Sequence, residues 1–203
     1  MLDFSRQLGS LNPDEILRSL VNSALDVITS AQSAMIALWD PKQELLVPQA
    51  VSGYKDLESI MEIMYRSGEA LPGKIFEGGI PRRVDEVDFA QDYDISTENL
   101  LRYKEATDGY LPISSMLIPI LAGDEKLGVM VLDNYSSARA FTEEDQALIT
   151  SLVQQTGLIL ENARLFQAAE QRALQLQLLT GVSTTITSNL QVDTIIASLL
   201  EQL

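Results

Sequence analysis

The chain has 203 residues, 46% of them apolar, and a formal charge of −15 from 14 basic and 29 acidic side chains. That length and apolar share suit one good-sized core or one domain plus appendages, and the negative charge argues against nucleic-acid or anionic-membrane partners, whose phosphates it repels. Cysteine and histidine are both absent, which removes thiol nucleophiles, imidazole bases, phospho-accepting histidines and the usual zinc or haem ligands.

Residues 13–31 predict a helix. Asn12 is placed to cap it, Pro13 suits the first turn, Asp14 and Glu15 suit the positive end, and Ile16, Leu17, Leu20, Ala24, Leu25 and Ile28 form an apolar stripe. The run SAMIALW (33–39) is apolar on both alternating faces, as a strand covered on both sides should be. After the turn-like Asp40-Pro41-Lys42-Gln43, the run 44–51 reads as its hairpin partner, and Pro48 assigns that strand to an edge. Residues 55–66 have helical spacing, and 81–87 read as a short third strand. The polar, acidic stretch 88–113 carries Tyr93, Tyr103 and Tyr110, with one helix expected at 97–106; so long a connection is usually functional or mobile. Strands at 115–121 and 125–134 flank the hairpin signal Ala122-Gly123-Asp124, and Pro119 calls for a bulge or an unpartnered position. Thr142-x-x-Asp145 opens a long helix like a capping box. Along that helix Leu152, Ile159, Phe166 and Ala173 recur every seven residues, with Gln155 and Asn162 at the companion positions, which predicts an imperfect coiled-coil seam.

The stretch GEALPGKIF (68–76) contains Gly68-x-x-x-x-Gly73-Lys74, the beginning of a phosphate-binding loop. That motif also needs a feeding strand and a Ser or Thr after the lysine to hold magnesium; here residue 75 is Ile and the preceding segment is helix-patterned. The nucleotide-hydrolase reading is therefore rejected.

Read onward, Gly68-Glu69-x-Leu71-x-Gly73-Lys74-Ile75-Phe76-Glu77-x-Gly79-x-Pro81-x-x-Val84-x-Glu86-Val87 resembles the middle of a GAF domain. Two further motifs follow in the family's order: Ser115-Met116-Leu117-Ile118-Pro119-Ile120 with Gly128-Val129-Met130-Val131-Leu132, then Phe141-Thr142-Glu143-Glu144-Asp145 leading through Glu161-Asn162-Ala163-Arg164-Leu165. The resemblance spans about residues 10–167. It implies an α+β fold like that of PAS domains: an antiparallel sheet of five to six strands, the N- and C-terminal helices packed on one face, and a small-molecule pocket on the other.

The resemblance also implies a non-catalytic sensor or dimerisation module of a multidomain bacterial signalling protein, such as a histidine kinase, cyclase or phosphodiesterase. Homodimerisation through the terminal helices is expected. Bilin-binding relatives use a cysteine and haem-binding ones a histidine, so no such cofactor is expected, and the ligand is unspecified. The GAF-like family that reduces free methionine sulfoxide relies on cysteines absent here. Of the cyclic-nucleotide pattern, Asn134, Phe141 and Asp145 match, but Tyr135 and Gln146 depart from it. Candidate pocket residues are Met35 and Trp39 on the first strand, Tyr65, Ile75 and Phe76 as a wall, Tyr103 and Tyr110 as a lid, Ser114 and Ser115 on the fourth strand, and Asp133 on the fifth. Core packing is the plainer role for Met35, Ile75 and Phe76. Asp88, Asp92, Asp94 and Glu98 offer carboxylates but lack the glycine and terminal Glu of an EF-hand loop, so a solvated acidic loop is the expectation. Arg82 and Arg83 read as a surface pair. A ligand-free structural spacer is the alternative function, and a cyclic-nucleotide-binding regulatory domain the one after it.

Finally, DTIIASLL (193–200) resembles DEILRSLV (14–21) at a shift of 179, with Leu190 answering Leu11. This predicts a GAF domain over 1–167, a helical linker over 168–188, and the opening of a second copy over 189–203. No run nears the roughly 20 apolar residues of a membrane span, and Met1-Leu2-Asp3-Phe4 does not begin a signal peptide. A cytoplasmic location is expected.

Overall fold

The computed structural model describes residues 13–200, with side chains over 13–166, 169–173 and 175. Asn12, Leu11 and residues 201–203, on which parts of the sequence reading fall, lie outside the described residues, as do the side chains of the repeat at 190–200. The elements are α1 (Pro13–Val27), β1 (Ser33–Asp40), β2 (Leu45–Ser52), α2 (Leu57–Met61), α3 (Ala70–Gly78), β3 (Arg82–Val84), α4 (Phe89–Asp92), α5 (Thr97–Ala106), β4 (Ser114–Ala122), β5 (Glu125–Asn134) and α6 (Glu143–Leu200). The chain divides into two units between Glu161 and Asn162, inside α6.

In the first unit the strands form one antiparallel sheet in the order β2-β1-β5-β4-β3. Its architecture is the α+β antiparallel platform expected from the sequence. Alternation divides the sheet's residues between two cores. Ala34, Ile36, Met116, Ile118, Met130 and Leu132 face α1 and the first turns of α6, where they meet Leu17, Leu20, Val21, Ile149 and Val153. Met35, Ala37, Leu117, Val129 and Val131 face the other way, toward α2, α3 and the 88–113 connection. Burial on both faces is why β1, β4 and β5 are almost uninterrupted apolar runs.

Pro48 lies on edge strand β2, opposite Ala37, at a register shift between Ile36 and Ala37. Pro119 is accommodated differently. β3 pairs only with Ser115–Leu117, so at Pro119 the ladder with β5 is the one that remains, and the irregularity falls one residue on, between Ile120 and Leu121. Thr142 and Asp145 form the reciprocal cap: Asp145 N donates to Thr142 Oγ1 (3.1 Å) and Thr142 N to Asp145 Oδ2 (2.8 Å).

Two helices are shorter than their sequence periodicity. α1 stops at Val27, not near 31, because Ser30 and Gln32 are tied to β5: Asn134 Nδ2 donates to Ser30 O and Gln32 N to Asp133 O. The helix expected over 55–66 is only α2, capped by Asp56, because Tyr65 exchanges two backbone hydrogen bonds with Leu46 and so extends the sheet beside β2. The 97–106 helix is α5; α4, capped by Asp88, has no counterpart in the sequence reading. In the second unit, α6 is helical from Asn162 to Leu200.

Candidate functional site: a buried carboxylate among tyrosines

The motif-like stretch 68–76 is a tight glycine turn leading into α3. Lys74 is exposed on α3, while Gly68 (φ +80°) and Gly73 fold the turn on itself, Gly68 N donating to Gly73 O at 3.0 Å. A Cβ on Gly73 would stand 2.1 Å from the Arg66 carbonyl oxygen. The glycines therefore serve close backbone approach.

The polar centre of the domain lies instead on the sheet face opposite the terminal helices. Register places Ser33 of β1, Asp133 of β5 and Ser115 of β4 directly side by side, a polar row crossing three strands. Two residues along, the same face carries Met35, Val131 and Leu117, and then Ala37, Val129 and Pro119. The face thus has one hydrophilic end and an apolar floor.

Asp133 is 1% exposed and is the one charged residue among the buried residues described. Ser115 Oγ donates to its Oδ1 at 2.6 Å and the Tyr103 hydroxyl to its Oδ2 at 2.9 Å. Burial pushes its pKa up to about 6, with the two hydrogen bonds pulling the other way, so the carboxylate is ionised at neutral pH. Four more phenols gather round it. Tyr135 OH lies 2.7 Å from Ser33 Oγ and 3.4 Å from Tyr103 OH, and Tyr54 brings its hydroxyl beside Ser33 and Tyr135. Tyr65 and Tyr93, each 1% exposed, have hydroxyls with no hydrogen-bond partner; that of Tyr93 nears Ser115 without reaching hydrogen-bond geometry. Burial, and after it chiefly the charge of Asp133 or a neighbouring phenol, holds all five tyrosines above the ordinary phenol range, so each remains a neutral O–H. Phe89 stacks on Tyr93 (4.5 Å) and tilts against Tyr103 (5.2 Å), so the rings carried by α4, α5 and their junction cover the polar row.

The family model described as GAF domain matches residues 10–161. The chain belongs to the GAF family. Among solved structures, the GAF domain of a phosphoenolpyruvate-protein phosphotransferase from Coxiella burnetii superposes with a TM-score of 0.66 at 18% identity, over 82% of this chain and 93% of that one. A methyl-accepting chemotaxis protein segment (residues 122 to 287) gives 0.61 at 22% identity, over 81% and 98%. The free methionine-R-sulfoxide reductase of Neisseria meningitidis, in complex with its substrate, gives 0.59 at 17%, over 78% and 84%. At these identities the likeness is one of fold. A GAF domain is a regulatory or sensory module of signalling proteins, and none of the helices searched among the described residues is long and apolar enough to cross a membrane.

The ten candidate pocket residues expected from the sequence are not all together in this GAF domain. Tyr103, Ser115 and Asp133 meet at the polar row, with Met35 on the floor beside it, and Tyr65 is buried in the same cluster within electrostatic reach of Asp133. Trp39 and Phe76 stack at 4.8 Å in the same apolar cluster, where Ile75 is also buried. Two positions need correction. Tyr110 is 64% exposed, because the chain turns outward after α5, with Gly109 at φ +87°. Ser114 takes the opposite parity from Ser115, and its Oγ donates to Ser137 O. Ser33, Tyr54, Tyr93 and Tyr135, which also gather at the row, are not among the sequence candidates. For Ser33 the signal was parity, since it stands two residues before Met35; Tyr135 stands two beyond Asp133. Asp133 itself breaks the same-face apolar run Val129, Val131.

Other conspicuous residues have structural roles. Arg83 donates to Phe141 O, Gln146 Oε1 and Glu143 Oε1, joining β3 to the start of α6. Asn134 Oδ1 accepts from Ser136 N and Ser137 N, shaping the turn after β5, and Phe141 is buried against the helical face. Asp88 accepts from Gln91 N, and its own N donates to Asp92 Oδ2. On the helical side, Ile16, Ser19 and Leu20 of α1 and Leu152, Gln155 and Ile159 of α6 line an open groove, with Ile159 39% exposed.

Proposed function

We propose that this GAF domain is a non-catalytic sensor that receives a small molecule at the Asp133 row and works as a homodimer joined through α1 and α6. One observation carries the sensing half. Buried polar groups are nearly always paired, yet the Tyr65 and Tyr93 hydroxyls are not, and both sit within the influence of an ionised buried carboxylate. A ligand would supply the missing partners. The lack of Cys and His supports a binding role over a chemical one, and the partial cyclic-nucleotide pattern is spent on a turn, a core position and a helix cap. The dimer half rests on the α1–α6 groove, which aligns Leu152 and Ile159 of the seven-residue repeat.

In this reading the GAF domain covers 1–167, a helical linker 168–188, and a second copy begins at 189, all within a cytoplasmic bacterial signalling protein. Native mass spectrometry and thermal shift against a metabolite library test the sensor; a retained or stabilising small molecule supports it. Light scattering tests the dimer: the chain should be dimeric, and Ile159→Glu should shift it to monomer with its circular dichroism unchanged. A strictly monomeric parent chain refutes that half. The stacking of Phe89 on Tyr93 favours a second reading, a spacer whose own rings fill the face, and a complete absence of ligand effects would select it.

A further inference from the structure

Resting on the sensor reading, we propose that the ligand is a compact organic cation, an alkylammonium or alkylguanidinium, with its head at Asp133 and its hydrocarbon over Met35, Leu117 and Val131. Asp133 is the sole charged group among the buried residues described, and Ser33, Thr107, Ser114, Ser115, Asn134 and Thr156 are the other polar ones. An anion would thus meet a carboxylate with no lysine or arginine to offset it. A zwitterion would leave its own carboxylate unpaired.

A carboxylate offers about four lone-pair sites, and the two hydrogen bonds from Ser115 and Tyr103 leave acceptor capacity on both oxygens. A buried carboxylate held by neutral donors alone is poorly compensated, and a bonded cation is the group that best relieves it. The surroundings suit such a head. Phenol oxygens accept from N–H, so the head would give the Tyr65 and Tyr93 oxygens a donor. Aromatic faces attract cations, and Tyr93, Tyr103 and Phe89 lie together above the row.

The floor sets the body of the ligand. Same-face residues along a strand repeat every ~6.8 Å, so a head at Asp133 lays three to five carbons over Val131, near where the side chain of Met35 ends the polar zone. Access requires α5 to lift, which breaks the Tyr103–Asp133 hydrogen bond. The formal charge of −15 favours capture of cations from solution.

The test titrates the whole chain with n-butylammonium and n-butylguanidinium at pH 7.5, against n-butanol and n-butyrate at matched ionic strength, by calorimetry and thermal shift. The two cations should bind saturably, and the alcohol and the acid should not. Asp133→Asn, shown folded by circular dichroism, should weaken cation binding by at least about 100-fold, the loss expected on removing one partner of a buried charge pair. Tyr65→Phe should weaken it by roughly 2- to 10-fold. Equal binding of butanol, or undiminished cation binding in Asp133→Asn, overturns the inference and leaves the sensor reading standing. No response to the cations, alongside a hit of other chemistry in the metabolite library, also overturns the inference alone. Silence in both experiments overturns the sensor reading as well.

Discussion

Replacing Asp133 with asparagine should raise the stability of the ligand-free domain at neutral pH and flatten its pH dependence. In the unfolded chain this carboxyl titrates near 3.8; in the fold, burial lifts it to about 6. The folded state therefore holds the proton more tightly, and the stability this group contributes is fully present below about pH 4 and lost as pH rises through 6. A shift of about two units is worth about 3 kcal/mol. Asparagine keeps the shape and removes the charge, and the Ser115 and Tyr103 hydroxyls can turn to suit its amide. Allowing about 1 kcal/mol for an imperfect hydrogen bond, the net gain at pH 7.5 is about 2 kcal/mol. That is a rise of roughly 4–8 °C in Tm for a domain of this size. The assay is differential scanning calorimetry of both proteins from pH 4 to 7.5. The quantity to follow is the difference in Tm between the two proteins, which should grow from near zero or below at pH 4 to its full value above pH 7. Parallel curves would refute the reasoning.

Tyr65→Phe removes an unpartnered buried hydroxyl and should raise the urea midpoint by the equivalent of about 1 kcal/mol in the absence of ligand. Gly73→Ala places a methyl against the Arg66 carbonyl and should cost about 2–4 kcal/mol in urea unfolding, whereas Lys74→Ala, exposed on α3, should change stability by no more than about 0.5 kcal/mol. Gly157→Ala pits two effects against each other. Helix propensity favours alanine by about 1 kcal/mol, but its Cβ would lie 2.3 Å from the Leu121 carbonyl oxygen, so a net loss of about 1–3 kcal/mol is expected by the same assay.

The strands were legible because burial on both faces writes itself as apolar runs, and the caps because Thr142 and Asp145 are local to one another. The segment 55–66 misled because its fate is decided by Leu46, which its own periodicity cannot report. For the site, the resemblance to GAF domains points to Asp133 and Ser115 at the ends of their strands, but the row they form with Ser33 depends on which strands become neighbours. Tyr93 was invisible as a site residue: it sits in a polar connection, and only the fold turns its ring inward. Tyr110, equally aromatic in the same stretch, points outward. Composition cannot tell such a pair apart; burial does.

The guanidinium of Arg83 has a mechanical consequence. Arg83 adjoins Val84, which sits opposite Ser115, whose hydroxyl holds Asp133; its three bonds grip Phe141, Glu143 and Gln146. Some eleven residues beyond Gln146, Gly157 rests against Leu121. The early part of α6 is therefore fastened to the platform at two separated rivets, one of them a single peptide step from Val84, the strand partner of the serine that donates to the carboxylate. A rod held at two points cannot slide or swivel on its own; if the platform's edge shifts, that part of the rod goes with it.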